Sequence, residues 1–201
     1  MTLIAIEGLD GAGKTTQVAL LANALSAIDV VSFPRYDTFF GRHIRELLDA
    51  TSGLSAQTVD PRSMALWYAL DRVQWARDRK PAPDGMVLLN RYTLSNAVYQ
   101  SARAGDPAMF EWVLRLEFEE LALPRPDVTV VLDVGPETSQ RRVAFRGDHD
   151  VYERAADLLA RVREGYLAAA KTQRDVVVVD ASGAPSDVHA AVLRALAPFL
   201  S

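Results

Sequence analysis

Residues 3–16 read LIAIEGLDGAGKTT, and this stretch contains three features in the order that decides the fold. Its opening run, Leu3–Ile6, is apolar and has the length of a buried strand. Closely spaced glycines follow, and the residues from Lys14 onward have a pattern typical of a helix. The stretch from Gly8 to Thr15 fits G-x-x-x-x-G-K-T, the complete P-loop pattern of strand, tight loop and helix.

A P-loop binds phosphate mainly through its backbone. Its glycines let successive N–H groups turn toward phosphate oxygens, and the helix that follows directs the positive end of its dipole at the same anion. We expect Lys14 to neutralise charge on the β- and γ-phosphates and the Thr15 hydroxyl to bind Mg²⁺. The predicted nucleotide-binding residues are Gly8, Gly11, Ala12, Gly13, Lys14, Thr15 and Thr16. The alternative is a glycine-rich turn that binds no ligand.

The rest of the chain alternates short apolar runs with longer segments of helical pattern. Strands are predicted at Leu3–Ile6, Val30–Phe33 (the weakest), Met86–Leu89, Val128–Val134 and Val176–Val179. Helices are predicted at Lys14–Ala27, Pro61–Arg79, Pro107–Leu121, Pro136–Phe145, Tyr152–Ala170 and Pro185–Leu196. We therefore expect an α/β fold, a P-loop NTPase with a doubly wound, parallel five-stranded sheet flanked by helices, in one domain spanning residues 1–201.

Composition excludes several classes of protein. The net charge of −4 argues against a nucleic-acid partner, which usually requires a basic surface. The chain has no cysteine, so disulfides, thiolate metal sites and a cysteine nucleophile are excluded, and its three histidines lack metal-ligand spacing. No signal peptide or membrane-spanning run is found. We expect a cytoplasmic protein without a membrane partner.

A P-loop alone does not specify a reaction. Small GTPases recognise guanine through an Asn-Lys-x-Asp segment, which this sequence does not contain. The large motor and helicase ATPases usually need a longer chain than 201 residues. The remaining class is a compact kinase that passes a phosphoryl group to a small acceptor.

Beyond the P-loop, four stretches together resemble the thymidylate kinases, P-loop enzymes that phosphorylate dTMP with ATP. They are EGLDGAGKTT (7–16), FPRY (33–36), YALDR (68–72) and NRYTLSNAVY (90–99), and RGDHDVYE (146–153) is similar to the lid of that family. The resemblance implies a nucleoside-monophosphate kinase fold with a short lid over about residues 141–152. It also implies Mg²⁺·ATP as the donor, dTMP as the acceptor, a role in dTTP synthesis and a homodimer.

The same resemblance assigns an acceptor site. Its substrate-binding residues are Asp10, Phe33, Arg35, Tyr36, Tyr68, Arg72, Arg91, Asn96, Tyr99 and Tyr152. Arg35 resembles the arginine that grips the 5′-phosphate, a task suited to a guanidinium fork. Tyr68 and Arg72 share a helix face, where the resemblance implies that Tyr68 covers thymine and Arg72 reaches its O4 carbonyl. Tyr99 resembles a residue packed near C2′ of the sugar.

Catalytic and metal-binding roles also follow from the resemblance. The implied catalytic residues are Lys14, Arg91, Asp10 and Arg146, and the implied metal-binding residues are Thr15, Asp10 and Glu153. Arg142 is expected to bind ATP, and Arg146 is favoured as the lid arginine because its RGDHD context matches best. Structural alternatives stay open: a helix-terminal charge for Asp10, an exposed loop residue for Arg35, and core or dimer packing for Tyr68.

Asn90 departs from the family pattern, in which this strand usually ends Asp-Arg. An aspartate there would hold Mg²⁺ or one of its waters by charge, whereas an amide can only hydrogen-bond such a water. Two other interpretations remain open. One is a deoxynucleoside kinase or another nucleoside-monophosphate kinase, and the other is a nucleotide-binding regulatory protein with impaired catalysis.

Overall fold

The computed structural model describes residues 1–25, 28–79, 85–146 and 156–200 of the chain, although not the side chain of Arg146. Five strands form a parallel sheet in the order β2-β3-β1-β4-β5. They are β1 (Thr2–Gly8), β2 (Ile28–Ser32), β3 (Met86–Asn90), β4 (Val128–Asp133) and β5 (Val176–Asp180). β1 lies at the centre, so the loop that follows it opens at the middle of the carboxyl edge, where ligands bind in such sheets.

Eight α-helices connect and cover the described strands. They are α1 (Lys14–Ala24), α2 (Phe39–Leu48), α3 (Pro61–Asp78), α4 (Thr93–Ala104), α5 (Ala108–Arg115), α6 (Pro136–Arg146), α7 (Ala156–Thr172) and α8 (Pro185–Leu196). A π-helical segment, Leu116–Glu120, extends α5, and a 3₁₀ turn, Ala197–Phe199, follows α8. None of the helices in the described ranges is long and apolar enough to cross a membrane.

Both faces of the sheet are covered, as successive residues of the central strands show. Ile4 and Leu88 pack into one buried cluster, while Leu3 and Leu89 pack into another with Trp75 of α3. Because neighbouring residues of a strand point to opposite faces, a strand buried on both sides has a continuous apolar run. The predicted α/β, doubly wound, five-stranded parallel fold is confirmed, including the weak strand at β2.

Three helical predictions need correction. The helix predicted at Lys14–Ala27 ends at Ala24, where Leu25 turns to an extended conformation. The segment predicted at Pro107–Leu121 widens into the π-helix after Arg115. The predicted start of the Tyr152–Ala170 helix lies outside the described residues, and its described part runs on to Thr172.

The helix α2 is absent from the sequence prediction. Its run FFGRHIRELL contains Gly41, which lowers helix propensity, although its apolar residues recur at helical spacing. In the structure, the hydroxyl of Thr38 caps α2 by accepting from the Gly41 N–H at 3.2 Å. A Cβ atom on Gly41 would lie 1.8 Å from the carbonyl oxygen of Arg35. Glycine is therefore required for the loop that carries Arg35 to pack on this helix.

We predict that Gly41→Ala destabilises the protein, although alanine is the better helix former. The methyl group would have to displace the Arg35 backbone, and overpacking of this kind costs about 1–3 kcal/mol. Urea unfolding measures the change. The matched control is Gly135→Ala, because no atom lies within 4 Å of an added Cβ there. A Gly41→Ala protein as stable as its parent would contradict the packing argument.

Candidate active site

The loop between β1 and α1 has the backbone conformation of a P-loop. Gly8 has a φ of 133°, and an added Cβ would lie 2.5 Å from the carbonyl oxygen of Leu132, so only glycine fits against β4. Gly13, with a φ of 94°, precedes the first residue of α1. Lys14 is buried, and its Nζ donates to the carbonyl oxygens of Gly8 at 3.1 Å and Leu9 at 2.8 Å. Its ammonium is thereby held inside the loop.

This loop lines a cavity of about 700 Å³, termed the nucleotide cavity below. Its lining contains predicted ATP-binding residues, namely Gly11, Ala12, Gly13, Lys14, Thr15, Thr16 and Arg142. Thr15 and Thr16 are exposed to this space. Arg142 of α6 is anchored by carbonyl oxygens, since its Nη1 donates to Gly11 at 3.3 Å and to Ala181 at 3.0 Å. Of the eight sequence-predicted nucleotide-binding residues, these seven line one cavity and Gly8 does not.

Asp10 lies between the two cations of the loop region. Its Oδ1 accepts from Arg91 Nη2 at 2.5 Å and is 3.6 Å from Lys14 Nζ. Burial disfavours the charged form of Arg91, but the carboxylate of Asp10, together with Tyr99, Tyr166 and Glu7, outweighs it, and the pKa of Arg91 is raised well above its ordinary value. The residue predicted as catalytic at the end of β3 is therefore a permanent cation, held beside the loop.

Arg91 reaches this position through an unusual backbone conformation. Its φ is 66°, in the left-handed region, and its N–H donates to the carbonyl oxygen of Ile6 at 2.9 Å. Its Nη1 donates to Ser95 Oγ at 2.9 Å, and its guanidinium lies 5.5 Å from the centroid of the Tyr99 ring. The chain therefore leaves β3 sharply, and the side chain turns toward the P-loop.

A second cavity of about 110 Å³, termed the acceptor cavity, adjoins the first. Its lining shares Asp10, Phe33, Pro34, Tyr36 and Arg91 with the nucleotide cavity. The remaining lining residues are Leu48, Tyr68, Arg72, Tyr92, Ser95, Asn96, Tyr99 and Gln100. Nine sequence-predicted substrate-binding residues lie in the described chain, and eight of them line this cavity; Arg35 does not.

Three side chains of the acceptor cavity, Arg72, Asn96 and Gln100, each offer a hydrogen-bond donor or acceptor that is set by their other partners. Arg72 is bound through Nε and Nη2 to Glu117, at 2.7 and 2.5 Å. Asn96 Nδ2 donates to Glu117 and to a backbone carbonyl, so its Oδ1 is turned away and is buried without a partner in the described chain. The Oε1 of Gln100 accepts from Arg103 at 2.6 Å, and its buried Nε2 has no partner there. Arg72 and Gln100 therefore offer hydrogen-bond donors to a ligand, and Asn96 offers an acceptor.

Arg35 lies outside the lining of both cavities. Its N–H and Nε donate to the buried carboxylate of Asp71 at 2.8 and 3.2 Å, and its Nη2 donates to the Asp71 carbonyl oxygen at 3.1 Å. Arg35 is therefore bound to Asp71 of α3 and does not lie beside Arg91. Its binding of a phosphate stays a prediction.

Glu7, the residue before the P-loop glycine, is a buried carboxylate that caps α4. It accepts from the backbone N–H groups of Tyr92 at 2.8 Å and Ser95 at 3.0 Å, at the start of a helix whose own cap residue supplies no side-chain bond. Ser95 Oγ and the Tyr166 hydroxyl also bind it. Burial raises the pKa of Glu7, although the Ser95 hydrogen bond and the charge of Arg91 act in the opposite direction.

Several residues that line the site or hold its side chains were not predicted from the sequence. Glu7, Asp71 and Ser95 lie within or beside recognised motifs, and their proximity to predicted residues was a usable signal. Gln100 lies four residues after Asn96, on the same helix face. Glu117 gave no signal, because LEFEE reads as a solvated acidic segment.

The predicted lid is described only over residues 141–146, which form the end of α6, and the rest of it lies outside the described part of the chain. Tyr152 and Glu153 are beyond it, as is the side chain of Arg146. Among the described residues, no group of three or more histidine, cysteine or acidic side chains could hold a metal ion. Asp10, Thr15 and Asn90, the last residue of β3, line the nucleotide cavity.

A central parallel strand, a glycine loop with left-handed residues and a helix beginning at the loop lysine define the P-loop NTPase class. Within that class, the family model for thymidylate kinase matches residues 6–192. A thymidylate kinase from Mycobacterium tuberculosis is 38% identical over 180 residues, covering 82% of this chain and 83% of that protein. A probable thymidylate kinase from Archaeoglobus fulgidus is 35% identical over 206 residues, covering 99% and 96%.

A solved structure supports the fold independently. The thymidylate kinase of Candida albicans superposes with a TM-score of 0.82 at 23% identity, covering 98% of this chain and 92% of that one. The family model and the sequence relatives together cover nearly the whole chain. This chain belongs to the thymidylate kinase family.

We predict that Ser95→Ala destabilises the fold in a pH-dependent manner. The pKa of Glu7 in the folded protein lies above its ordinary value of 4.5, and removing the Ser95 hydroxyl, which donates to the charged form, raises it further. A raised carboxyl pKa stabilises the fold while the group is protonated, and that contribution is lost as the pH rises through the folded pKa. The cost of Ser95→Ala is therefore larger at about pH 8, roughly 1–3 kcal/mol, than at about pH 5.

Urea unfolding of the parent and the variant at both pH values measures this difference. Ser101→Ala, in the same helix, is the matched control, because its hydroxyl donates to the backbone carbonyl of Asp106 beyond the helix end and to no carboxylate. An equal cost of Ser95→Ala at the two pH values would show that Glu7 does not depend on this hydroxyl.

Proposed function

We propose that this chain transfers the γ-phosphoryl group of Mg²⁺·ATP to the 5′-phosphate of dTMP, giving dTDP for dTTP synthesis. One observation carries the proposal: a P-loop cavity adjoins a smaller cavity that presents two hydrogen-bond donors and one acceptor. Family membership gives the reaction class, and the hydrogen-bonding pattern gives the acceptor base.

The base edge of thymine complements the acceptor cavity. Thymine presents two carbonyl acceptors, O4 and O2, on either side of the N3–H donor. Arg72 supplies a donor to O4, the Oδ1 of Asn96 accepts from N3–H, and the Nε2 of Gln100 supplies a donor to O2. Cytosine presents an amino donor and an unprotonated N3, so it would leave buried groups of the cavity unpaired. The half-buried Tyr68 covers the ring face.

The sugar and the acceptor phosphate lie between the base and the P-loop in this proposal. Tyr99 is buried beneath the guanidinium of Arg91, and its hydroxyl donates to Asp10 at 3.3 Å. A bulky ring there excludes a 2′-hydroxyl, which favours deoxyribose. Arg91 bridges the acceptor and donor phosphates, with Phe33 and Tyr36 at the shared wall of the two cavities.

The donor side fits an ATP-bound magnesium ion. Mg²⁺ keeps several waters and takes one or two protein oxygens besides phosphate, which agrees with a described site that has no cluster of acidic residues. The Thr15 hydroxyl, with Asp10 nearby, would hold it, and the buried Oδ1 of Asn90, which has no partner in the described chain, is available to one of its waters. When bound, the ion neutralises charge on the phosphates.

The chain's own residues supply positioning and charge. An oxygen of the acceptor phosphate is already a competent nucleophile, so no general base and no covalent enzyme intermediate are needed. Lys14 and Arg91 stabilise negative charge on the transferring group, and the backbone N–H groups of the loop hold the donor phosphates. We further propose that Arg146, Tyr152 and Glu153 act from the lid, which excludes water and limits ATP hydrolysis.

The homodimer and the cytoplasmic location are further proposals. Leu66 and Leu70, one turn apart on α3, are 43% and 38% exposed, and Phe39 of the neighbouring α2 is 54% exposed. Exposed apolar side chains on adjacent helices favour a contact between two copies of the chain.

A coupled ADP-release assay tests the proposed reaction against its rivals. The acceptors are dTMP, dUMP, dCMP, AMP and thymidine, with one arm that has no acceptor. We expect dTMP to give the highest kcat/KM and thymidine to give no turnover. Turnover of thymidine but not dTMP would indicate a deoxynucleoside kinase, which needs a base that the neutral Asn90 cannot supply. No turnover of any acceptor would favour a regulatory nucleotide-binding protein.

We predict that Asn90→Asp lowers the Mg²⁺ concentration that gives half-maximal rate, by about three- to tenfold. A carboxylate in place of the unpartnered amide oxygen adds ionic attraction for the hydrated metal. The measurement is the dTMP-dependent rate against free Mg²⁺. Gln173→Glu, which precedes β5 at the end of the sheet opposite the P-loop, adds the same charge away from the site. A rise from undetectable to normal turnover would instead indicate that the parent chain is not an active kinase.

A further inference from the structure

Glu117 is a buried carboxylate that contacts the acceptor cavity only through other residues. Its side chain is 0% exposed, and it is absent from the cavity lining. It accepts four hydrogen bonds: from Arg72 Nε at 2.7 Å and Nη2 at 2.5 Å, from Thr93 Oγ1 at 2.7 Å and from Asn96 Nδ2 at 2.7 Å. Two of these partners, Arg72 and Asn96, are residues that face the proposed base.

The first consequence concerns Arg72. A guanidinium has a fixed planar fork, so two bonds to one carboxylate fix the orientation of the whole group. Nε and Nη2 are used by Glu117, which leaves Nη1 for a ligand in the cavity. The charge of Glu117 also offsets the burial of Arg72, which would otherwise disfavour a cation at 2% exposure.

The second consequence concerns the polarity of Asn96. An asparagine amide can turn over, exchanging its donor and acceptor ends. Here Nδ2 meets two acceptors, Glu117 Oε1 and the carbonyl oxygen of Ala65, so the amide has one satisfied orientation. That orientation directs the acceptor Oδ1 away from Glu117, where a ligand N–H can reach it.

We propose that Glu117 is a positioning residue that sets the base selectivity of the acceptor cavity. This inference rests on the proposed function, because it assigns Glu117 to the recognition of the thymine edge. An ionised carboxylate is an acceptor only, so it requires a donor from each partner and excludes the inverted amide. The selectivity for thymine over cytosine is therefore determined by a residue that does not touch the base itself but holds the residues that do.

Glu117→Gln separates this role from simple packing. Glutamine has nearly the same shape but adds an NH₂ group, which would face donors from Arg72, Thr93 or Asn96. Inversion of Asn96 would satisfy this NH₂ group at the cost of the bond from Nδ2 to the Ala65 carbonyl oxygen, and it would replace the acceptor at the base edge with a donor. A donor there fits N3 of cytosine rather than N3–H of thymine.

The experiment compares the KM and kcat for dTMP with the inhibition constant of dCMP in three variants. In Glu117→Gln we expect the KM for dTMP to rise by about tenfold, the dCMP/dTMP selectivity ratio to fall by about tenfold or more, and kcat to change by less than about threefold. Glu117→Asp keeps an acceptor-only group at a greater distance, so we expect a raised KM with the selectivity ratio kept. Glu119→Gln, 62% exposed in the same segment, is the matched control and should change neither.

Each outcome decides the inference. A parent-like selectivity ratio in Glu117→Gln overturns it, and so does an equal loss of selectivity in both Glu117 variants, because that result indicates general loosening. If Glu117→Gln does not fold, a parent-like KM in Glu117→Asp overturns the inference in its place. Failure of the parent chain to use dTMP overturns the proposed function instead, and it is seen before any variant is measured.

Discussion

The buried carboxylate of Glu7 is the interaction on which the arrangement of the site depends. It lies at the end of the central strand, caps α4, and binds Ser95 and Tyr166, so it connects β1, α4 and α7. Ser95 in turn holds the guanidinium of Arg91. Burying this carboxylate is unfavourable, as the raised pKa of Glu7 shows, and the helix N–H donors offset part of that cost. The P-loop and the base of α4 are thereby fixed relative to one another.

The cations of the site are each oriented by a carboxylate of different burial. Asp10, one quarter exposed, holds Arg91 where phosphate would compete for it, while Glu117 is fully buried and holds Arg72 permanently. A partly exposed pair is weaker and can exchange partners, whereas a buried pair is costly to separate. The Asp10–Arg91 pair is therefore the more adaptable of the two and the Glu117–Arg72 pair the more rigid, which agrees with the proposed roles of Arg91 at the phosphates and Arg72 at the base.

Local sequence signals predicted most of the architecture. The P-loop, four apolar strands and the start signals of α3 and α8 follow from short-range pattern, because strands buried on both faces are continuously apolar and proline is favoured in the first helical turn. α2 was missed although its apolar residues recur at helical spacing, and its Gly41 is explained only by the backbone of Arg35, with which it packs. The end of α5 was also missed, because the change to a π-helix leaves no compositional mark.

The sequence by itself determined the phosphate-binding loop and the family motifs, because a P-loop is made by contiguous residues whose roles are set by spacing. Lys14, Arg91 and Asn96, which it singled out, line the two cavities, while their roles remain predictions. Only the tertiary structure decided which groups remain available to a ligand. Glu117 lies 45 residues from Arg72 in the chain, in a segment whose acidic residues suggest exposure to solvent. In the folded chain it is buried, and it fixes the guanidinium of Arg72 and the amide of Asn96. Hydrogen-bond polarity at a site depends on partners brought together by folding, and no local pattern encodes it.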